Sequence, residues 1–285
     1  MRIFPALVLT LWLTGCTHAF FQPHSYIVST PGQFGLEYQP VEFEAQDGTA
    51  LFAWFLPARG APKATVLYLH GNAENISTHF ANVAWMPAAG YNVLAMDYRG
   101  YGGSQGKPTL EGVQLDIDAG MRLLLERPDV DPGRIIIFGQ SLGGALAIHY
   151  VAHTNLRANV RAIVVDSSFS DYHLIAREKL ASFFLTWPLQ WLLPQLTIEN
   201  AFSPVASVQA VSPIPLLFIH GERDSTVPLS HSRRLFERAA QPKELWVIPN
   251  AGHIQAVRDK TVRKRLAEFL DRHVRDPLAS LAPPS

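Results

Sequence analysis

The sequence lacks several features that would place it in a particular class of protein. Its 285 residues include one cysteine, Cys16, so no disulfide can form within the chain. Basic and acidic residues balance at 24 each, which leaves no excess of positive charge to attract nucleic acid. The sequence contains no internal repeat and no low-complexity tract. Its 48% of hydrophobic and 17% of charged residues instead indicate a globular chain with one large core.

The N-terminus has the organisation of a bacterial export signal. A short positive start precedes an apolar run at residues 3–13, which is too short to span a bilayer as a helix. The segment 13–16 (LTGC) resembles the lipobox of a lipoprotein signal peptide. The resemblance implies that residues 1–15 are removed and that Cys16 is acylated, which anchors the chain in the cell envelope. The alternative is an ordinary secretory signal peptide that contains a chance cysteine.

The residue after the lipobox bears on the membrane in which the protein is anchored. In lipoproteins of this kind, an aspartate at that position directs retention in the inner membrane. Thr17 occupies the position here, so the resemblance favours the periplasmic side of the outer membrane over the inner membrane.

The sequence divides into four parts. Residues 16–40 are rich in proline and glycine and predict a lipidated N-terminus and tether. Residues 41–275 predict one folded domain, which contains a cap-like insertion at residues 170–205. The tail, residues 276–285, is rich in proline and alanine and is expected to be flexible.

Apolar strand-like runs alternate with helical patterns along the domain. This alternation predicts an α/β fold whose mostly parallel central sheet has helices on both faces. A turn at Asp47 and Gly48 joins the first two strands into a hairpin, which adds an antiparallel edge. We predict strands at 41–45, 51–56, 64–69, 91–96, 134–138, 160–165, 214–219 and 244–248, and helices at 78–89, 110–126, 142–153, 229–240 and 257–274.

The insertion at 170–205 interrupts the alternation with a block of large apolar side chains. Two interpretations of the block are open. It is either an ordinary helix packed in the core, or a cap over an acyl-binding cleft or a surface that rests on a membrane. The block comprises Phe183, Phe184, Leu185, Trp187, Leu189, Trp191, Leu192 and Leu193.

The pattern G-x-S-x-G, which forms the sharp turn that presents a nucleophilic serine, occurs twice. Residues 139–143 (GQSLG) follow an apolar strand and open a helical pattern, as that turn requires. Residues 102–106 (GGSQG) follow a turn rich in glycine and tyrosine and have no strand or helix beside them. The context therefore selects Ser141 as the nucleophile and leaves Ser104 as part of a turn.

A serine hydroxyl needs a base to take its proton and an acid to orient that base. Asp224 lies in the loop after the strand at 214–219, and Glu222 in the same loop is the rival carboxylate. Asp166 and Asp171 follow an earlier strand and are weaker candidates. His253, between a late strand and the last helix, is the candidate base.

Two backbone N–H groups have to hold the oxyanion that forms during such a reaction. One is expected from Leu142, the residue after the nucleophile. The other is expected from the loop after the strand at 64–69, where Asn72 is the first choice and Ala73 the second. His70 in this loop is expected to shape the backbone.

Further segments resemble a known family. They are residues 47–49 (DGT), 54–57 (WFLP), 70–72 (HGN), 97–102 (DYRGYG) and 139–144 (GQSLGG). Together they resemble the Bem46-like serine hydrolases of the α/β-hydrolase superfamily, over roughly residues 36–270. The resemblance implies the α/β-hydrolase fold and cleavage of an ester, thioester or amide. It also implies structural roles for Asp97 and Arg99.

These observations predict a serine hydrolase with the residues Ser141, His253 and Asp224 and with no metal or organic cofactor. We expect a carboxylesterase or thioesterase-like lipoprotein that acts on a small-molecule or acyl substrate. A serine aminopeptidase or other peptidase with the same three residues is the first alternative. An envelope lipoprotein that uses the fold only for binding is the second.

Substitution of the single cysteine tests the lipobox. Cys16→Ser should abolish incorporation of a labelled fatty acid into the protein in growing cells, because serine offers no thiol to the diacylglycerol transfer. Thr17→Ser is the matched control and should incorporate label as the wild type does. Label retained by Cys16→Ser would refute the assignment.

Overall fold

A computed structural model of the chain describes residues 20–182 and 184–274. The predicted signal peptide at 1–15, the lipidation site Cys16, the tail at 276–285 and Phe183 of the insertion lie outside that part. Within it, no helix combines the length and the apolarity that crossing a membrane requires.

Ten strands occur in the described residues, and eight of them form one central sheet. In chain order they are β1 (Gln22–Pro23), β2 (Gln39–Glu44), β3 (Ala50–Leu56), β4 (Ala64–Leu69), β5 (Ala73–Glu74), β6 (Tyr91–Asp97), β7 (Ile135–Gln140), β8 (Val160–Asp166), β9 (Leu216–Gly221) and β10 (Lys243–Ile248). The sheet has the order β10-β9-β8-β7-β4-β6-β3-β2. The six neighbouring strands β6, β4, β7, β8, β9 and β10 are parallel, whereas β3 pairs antiparallel with both β2 and β6. The predicted α/β class with an antiparallel edge is therefore confirmed.

The helices connect the strands and cover both faces of the sheet. They are α1 (Ile76–His79), α2 (Leu110–Glu126), α3 (Leu142–His153), α4 (Tyr172–Ala181), α5 (Leu193–Thr197), α6 (Pro204–Ser207), α7 (Ser230–Arg238) and α8 (Lys260–Val274). Short 3₁₀ turns lie at Pro31–Phe34, Phe80–Asn82, Pro87–Ala89, Arg157–Asn159, Trp187–Leu189, Val208–Val211 and Ala256–Arg258.

The sheet separates two hydrophobic cores. In β4, Leu67 and Leu69 belong to the core that α2 and α3 cover, whereas Val66 and Tyr68 belong to the core that α8 covers. Successive side chains of a strand point to opposite faces. Because both faces are covered, the central strands are apolar at every position, which explains the uninterrupted apolar runs of the sequence.

The helix predicted at 78–89 is wrong. The chain forms only the short helix α1 there, followed by two 3₁₀ turns, the second of which begins at Pro87. Proline has no N–H to donate and disfavours a helical conformation at the preceding residue, so the helix cannot continue through this position. Ile76, Phe80 and Val83 are buried at helical spacing nonetheless, and that spacing misled the prediction.

A buried ion pair ties the loop after β6 to two other elements. The Arg99 guanidinium donates to Asp116 on α2 at 2.7 Å and to Asp47 in the β2–β3 turn at 2.7 Å. The side chain of Asp116 is fully buried. Arg99 also lowers the pKa of the exposed Asp47 carboxyl to about 2. This network gives Arg99 the structural role that the family resemblance implies.

The insertion lies beyond the carboxyl end of β8. Tyr172 and Ile175 on α4 pack into the core, but the large apolar side chains that follow are exposed, with Phe184 at 92% and Leu185 at 85%. The interpretation of this block as an ordinary core helix is therefore wrong, because the large apolar side chains of the block that the structure describes are exposed to solvent.

Removal of the buried cation tests the structural role of this pair. Arg99→Ala should lower the free energy of unfolding by about 3–5 kcal/mol, because Asp116 would stay buried without its partner. Arg122→Ala is the matched control, since its pair with Asp118 lies on the exposed face of a helix, where an ion pair contributes little to stability. Urea denaturation measures both values, and equal losses would contradict the assignment.

Candidate active site

Ser141 occupies a tight turn between β7 and α3. Its φ of 53° and ψ of −115° lie outside the helical and strand regions. A Cβ atom at Gly139 would overlap the carbonyl group of Gly143, and one at Gly143 would overlap the carbonyl oxygens of Leu69 and His70. The two glycines of the motif are therefore required because helix and strand approach each other here without room for a side chain.

The loops after β9 and β10 bring a carboxylate and an imidazole to this serine. His253 Nδ1 lies 2.8 Å from Asp224 Oδ2, and His253 Nε2 lies 3.1 Å from Ser141 Oγ. With Nδ1–H donating to the carboxylate, Nε2 is free to accept the hydroxyl proton. The three residues selected from the sequence thus form one chain of hydrogen bonds.

Asp224 is fixed as an anion by its surroundings. Its Oδ1 accepts the backbone N–H groups of Thr226 and Val227, both at 2.8 Å. Burial alone would raise the pKa of this carboxyl, but the hydrogen bonds from His220, His253 and the Val227 N–H outweigh burial and hold the pKa below its ordinary value. The carboxylate can therefore stabilise a positive charge on His253 without taking its proton.

His220 is a contributor that the sequence analysis did not assign. It is fully buried at the end of β9, with Nε2 at 2.8 Å from the Val227 carbonyl and at 3.3 Å from Asp224 Oδ2. Its Nδ1 lies 2.7 Å from Ser232 Oγ. His220 therefore positions the loop that carries Asp224. Its place in the apolar strand just before the acidic loop was the available signal.

Asp166, at the end of the neighbouring strand β8, binds the serine turn through hydrogen bonds. Its carbonyl accepts the Ser141 N–H at 2.8 Å, and its buried carboxylate accepts from Gln140 Nε2 at 2.8 Å and from Ser167 Oγ at 2.9 Å. Ser167 Oγ in turn accepts the Ile254 N–H at 3.1 Å. Asp166, considered from the sequence as a possible catalytic acid, connects the serine turn to the histidine loop instead.

The other candidates lie elsewhere. Ser104 is buried in a turn, where its Oγ donates to the Asp97 carbonyl and accepts the Phe52 N–H, both at 2.8 Å. Glu222 is exposed to solvent. Asp171 caps α4 by accepting the Leu174 N–H at 2.8 Å.

The loop after β4 lies beside the serine, and hydrogen bonds to its backbone fix its position. The Asn72 carbonyl accepts from the Gln22 N–H at 2.9 Å and from the Tyr101 hydroxyl at 2.7 Å. Among the described residues, the Asn72 N–H has no backbone acceptor, and the first N–H of α3, on Leu142, has no partner within its own helix. Asn72 and Leu142 line the same cleft as Ser141.

His70, in the same loop, is enclosed by aromatic rings. It stacks with His79, lies tilted against Tyr98 and meets Tyr101 edge-on, at centroid distances of 4.4–5.5 Å. Burial lowers the pKa of His70 to about 3, so the imidazole is neutral. Its ring packs in the interior, as expected of a residue that shapes the loop.

A cleft of about 490 Å³ opens above Ser141. This is within the range of small-molecule sites, ~300–1,000 Å³. Its walls come mainly from α4, α5 and the loops after β4, β8 and β9, and the segment that precedes β1 contributes Phe20. Lys179 is the one charged side chain among the described residues that line it. The lining consists of Phe20, Gln22, Asn72, Ser141, Leu142, Phe169, Ile175, Ala176, Lys179, Leu180, Leu193, Pro194, Thr197, Ile198, Thr226 and Val227.

Histidines also meet away from the cleft, on α3. His149 and His153 stack at a centroid distance of 4.2 Å, and burial lowers the pKa of His149 to about 4. Across residues 20–182 and 184–274, no group of three histidine, cysteine or acidic side chains is arranged to hold a metal ion.

Comparison with known proteins agrees with this fold. The family described as serine aminopeptidase, S33, matches residues 60–211. YfhR, an uncharacterized protein of Escherichia coli (strain K12), is 36% identical over 240 residues, which cover 81% of this chain and 80% of that protein. The protein bem46 of Schizosaccharomyces pombe is 28% identical, with 88% of this chain and 83% of that protein covered.

The chain belongs to the Bem46-like α/β hydrolases. Among solved structures, an esterase of Pyrococcus furiosus superposes with a TM-score of 0.74 and 26% identity, over 90% of this chain and 99% of that one. The family and this neighbour are both hydrolases, so the reaction class of this α/β hydrolase is bond cleavage by water.

Proposed function

We propose that this α/β hydrolase cleaves an ester or thioester through a serine acyl-enzyme, as carboxylesterases and thioesterases do. One observation carries the proposal: the hydrogen-bonded chain from Asp224 through His253 to Ser141 opens onto an apolar cleft. A protein that only binds a ligand has no need for three such residues in register, which argues against the non-catalytic alternative.

The geometry supports the following sequence of steps. Ser141 Oγ attacks the acyl carbonyl carbon while His253 Nε2 takes the hydroxyl proton, and Asp224 stabilises the imidazolium. The N–H groups of Leu142 and Asn72 hold the oxyanion. His253 then gives its proton to the leaving alcohol or thiol, and an acyl-enzyme remains. Water, deprotonated by His253, attacks the acyl carbon and releases the carboxylic acid and the free serine.

The composition of the cleft favours an acyl group over a peptide N-terminus. An aminopeptidase has to hold the ammonium group of its substrate, and a carboxylate is the natural partner for that charge. The charged group that lines the described cleft is the Lys179 ammonium, which would repel it. A serine aminopeptidase, the activity that the family description names, is thus the second candidate.

We propose further that acylation of Cys16 anchors the enzyme to the cell envelope, on the periplasmic side of the outer membrane. Support comes from the lipobox-like segment 13–16 and from Thr17, where an inner-membrane retention signal would have aspartate. The proposed substrate is then one that reaches the envelope.

A fluorophosphonate probe tests the nucleophile. Wild-type protein should be labelled, because the probe reacts with serines that an adjacent base activates, and Ser141→Ala should not be labelled. Ser104→Ala is the matched control, since it removes the other serine of a G-x-S-x-G pattern. Labelling lost in Ser104→Ala, or absent from the wild type, would contradict the mechanism. Gel fluorescence after labelling provides the measurement.

Two substrate series separate the two candidate activities. The kcat/KM for p-nitrophenyl butyrate should exceed that for alanine p-nitroanilide by about 100-fold or more, since like-charge contact costs several kcal/mol and each 1.4 kcal/mol is a factor of ten. Lys179→Gln, which removes the charge and keeps much of the side-chain length, should narrow this ratio. A wild type that prefers the anilide would establish the peptidase instead.

A further inference from the structure

The exposed part of the insertion presents a surface of large apolar side chains. We call it the apolar patch, and its members are each 38–92% exposed: Phe184, Leu185, Trp187, Leu189, Trp191, Leu192, Leu193 and Leu196. Monomeric soluble proteins seldom expose apolar areas of this kind without a partner. The sequence adds that no charged residue occurs from 180 to 198.

Cationic side chains border the patch on α4. The Arg177 guanidinium lies over the ring of Trp191, 3.5 Å from its centroid, and Lys179 is exposed two residues further on. The acidic residue between them, Glu178, is paired with His231 at 2.9 Å. An apolar surface rich in tryptophan and leucine, bordered by cations, is complementary to the interface of a bilayer that contains anionic lipids.

The patch and the N-terminus meet at the same cleft. Leu193, a member of the patch, and Phe20, the first described residue, both line the cleft that contains Ser141. Three residues, 17–19, lie between Cys16 and Phe20, so the two Cα atoms are at most about 14 Å apart even when the chain is fully extended. A lipid on Cys16 therefore brings the membrane surface within that distance of the wall of the cleft.

A second group of exposed apolar side chains lies on the N-terminal segment between β1 and β2. Tyr26, Ile27 and Val28 are 44–59% exposed on the segment that leads to β2. The Tyr26 carbonyl accepts from Asn75 Nδ2 at 2.7 Å, which fixes this segment beside the loop that follows β4. The N-terminal segment thus adds exposed apolar side chains beside this loop.

We propose that the apolar patch docks on the lipid bilayer to which Cys16 is anchored, so that the cleft opens toward the membrane surface. The proposal rests on the anchor proposed above, and it goes beyond that anchor by assigning an orientation. It follows that the enzyme takes its acyl substrate from the bilayer, as an ester whose acyl chain lies among the lipids. A second copy of the chain is the competing occupant of the patch.

Depth-dependent fluorescence quenching tests the docking. The full-length lipidated protein is reconstituted in vesicles of phosphatidylcholine and phosphatidylglycerol, with and without lipids brominated along the acyl chain. The double variant Trp187→Phe, Trp191→Phe should lose at least half of the bromine quenching seen in the wild type. The matched variant Trp85→Phe, Trp246→Phe should keep it, because both residues lie on the opposite side of the sheet. Equal quenching of the three proteins would overturn the proposal.

A second variant pair separates docking from chemistry. Phe184→Asp with Leu185→Asp changes two exposed side chains that do not line the cleft. Hydrolysis of p-nitrophenyl palmitate in vesicles should fall about tenfold, while turnover of soluble p-nitrophenyl butyrate stays unchanged. Phe34→Asp, which alters an exposed phenylalanine outside the patch, should change neither.

The remaining outcomes are distinct. If the double variant Phe184→Asp, Leu185→Asp hydrolyses p-nitrophenyl palmitate in vesicles at the wild-type rate, the docking proposal is overturned. The wild type could instead form a dimer in solution that the double variant Phe184→Asp, Leu185→Asp dissociates, and show no quenching by brominated lipid. That result would assign the patch to a second copy of the chain and would also overturn the docking proposal. A wild type that does not turn over the soluble ester would refute the proposed function, whereas quenching would still decide the docking.

Discussion

The site depends on one strained turn. A residue other than glycine with a positive φ costs on the order of 1–3 kcal/mol, and Ser141 has a φ of 53°, so the contacts around it have to offset that cost. The absent side chains at Gly139 and Gly143 let α3 abut β7, and the Ser141 N–H is bound by the Asp166 carbonyl. The same turn places Ser141 Oγ at the carboxyl edge of the sheet, where the loops that carry His253 and Asp224 also end.

A buried polar network holds these loops in register. Polar groups are costly in an apolar interior unless each has a partner, and here the partners are residues of different strands. The Asp166 carboxylate joins Gln140, next to the serine, to Ser167, which binds the backbone at Ile254 beside the histidine. Small movements of one loop are therefore resisted by the others. This explains how a distance as sensitive as that between imidazole and hydroxyl is fixed by residues that do not touch the substrate.

Local patterns predicted much of this molecule, and the failures have physical causes. The helix α2 has the predicted bounds because its caps and spacing agree, and Ser141 was identifiable because strand and helix flank it. The prediction of a helix at 78–89 failed because the helix cannot continue through Pro87, although the apolar spacing is helical. The role of His220 depends on contacts between strands and loops, which a linear pattern does not encode. The exposure of Phe184 could not be read from its apolar character, because burial depends on what packs opposite.

Direct observation of the acyl-enzyme tests whether Ser141 is acylated during turnover. The wild-type enzyme is quenched with acid while it turns over p-nitrophenyl butyrate, and its peptides are then analysed by mass spectrometry. The peptide that contains Ser141 should gain the mass of one butyryl group, and the peptide that contains Ser104 should stay unmodified. Turnover without an adduct on Ser141, or with the adduct on another residue, would contradict the mechanism.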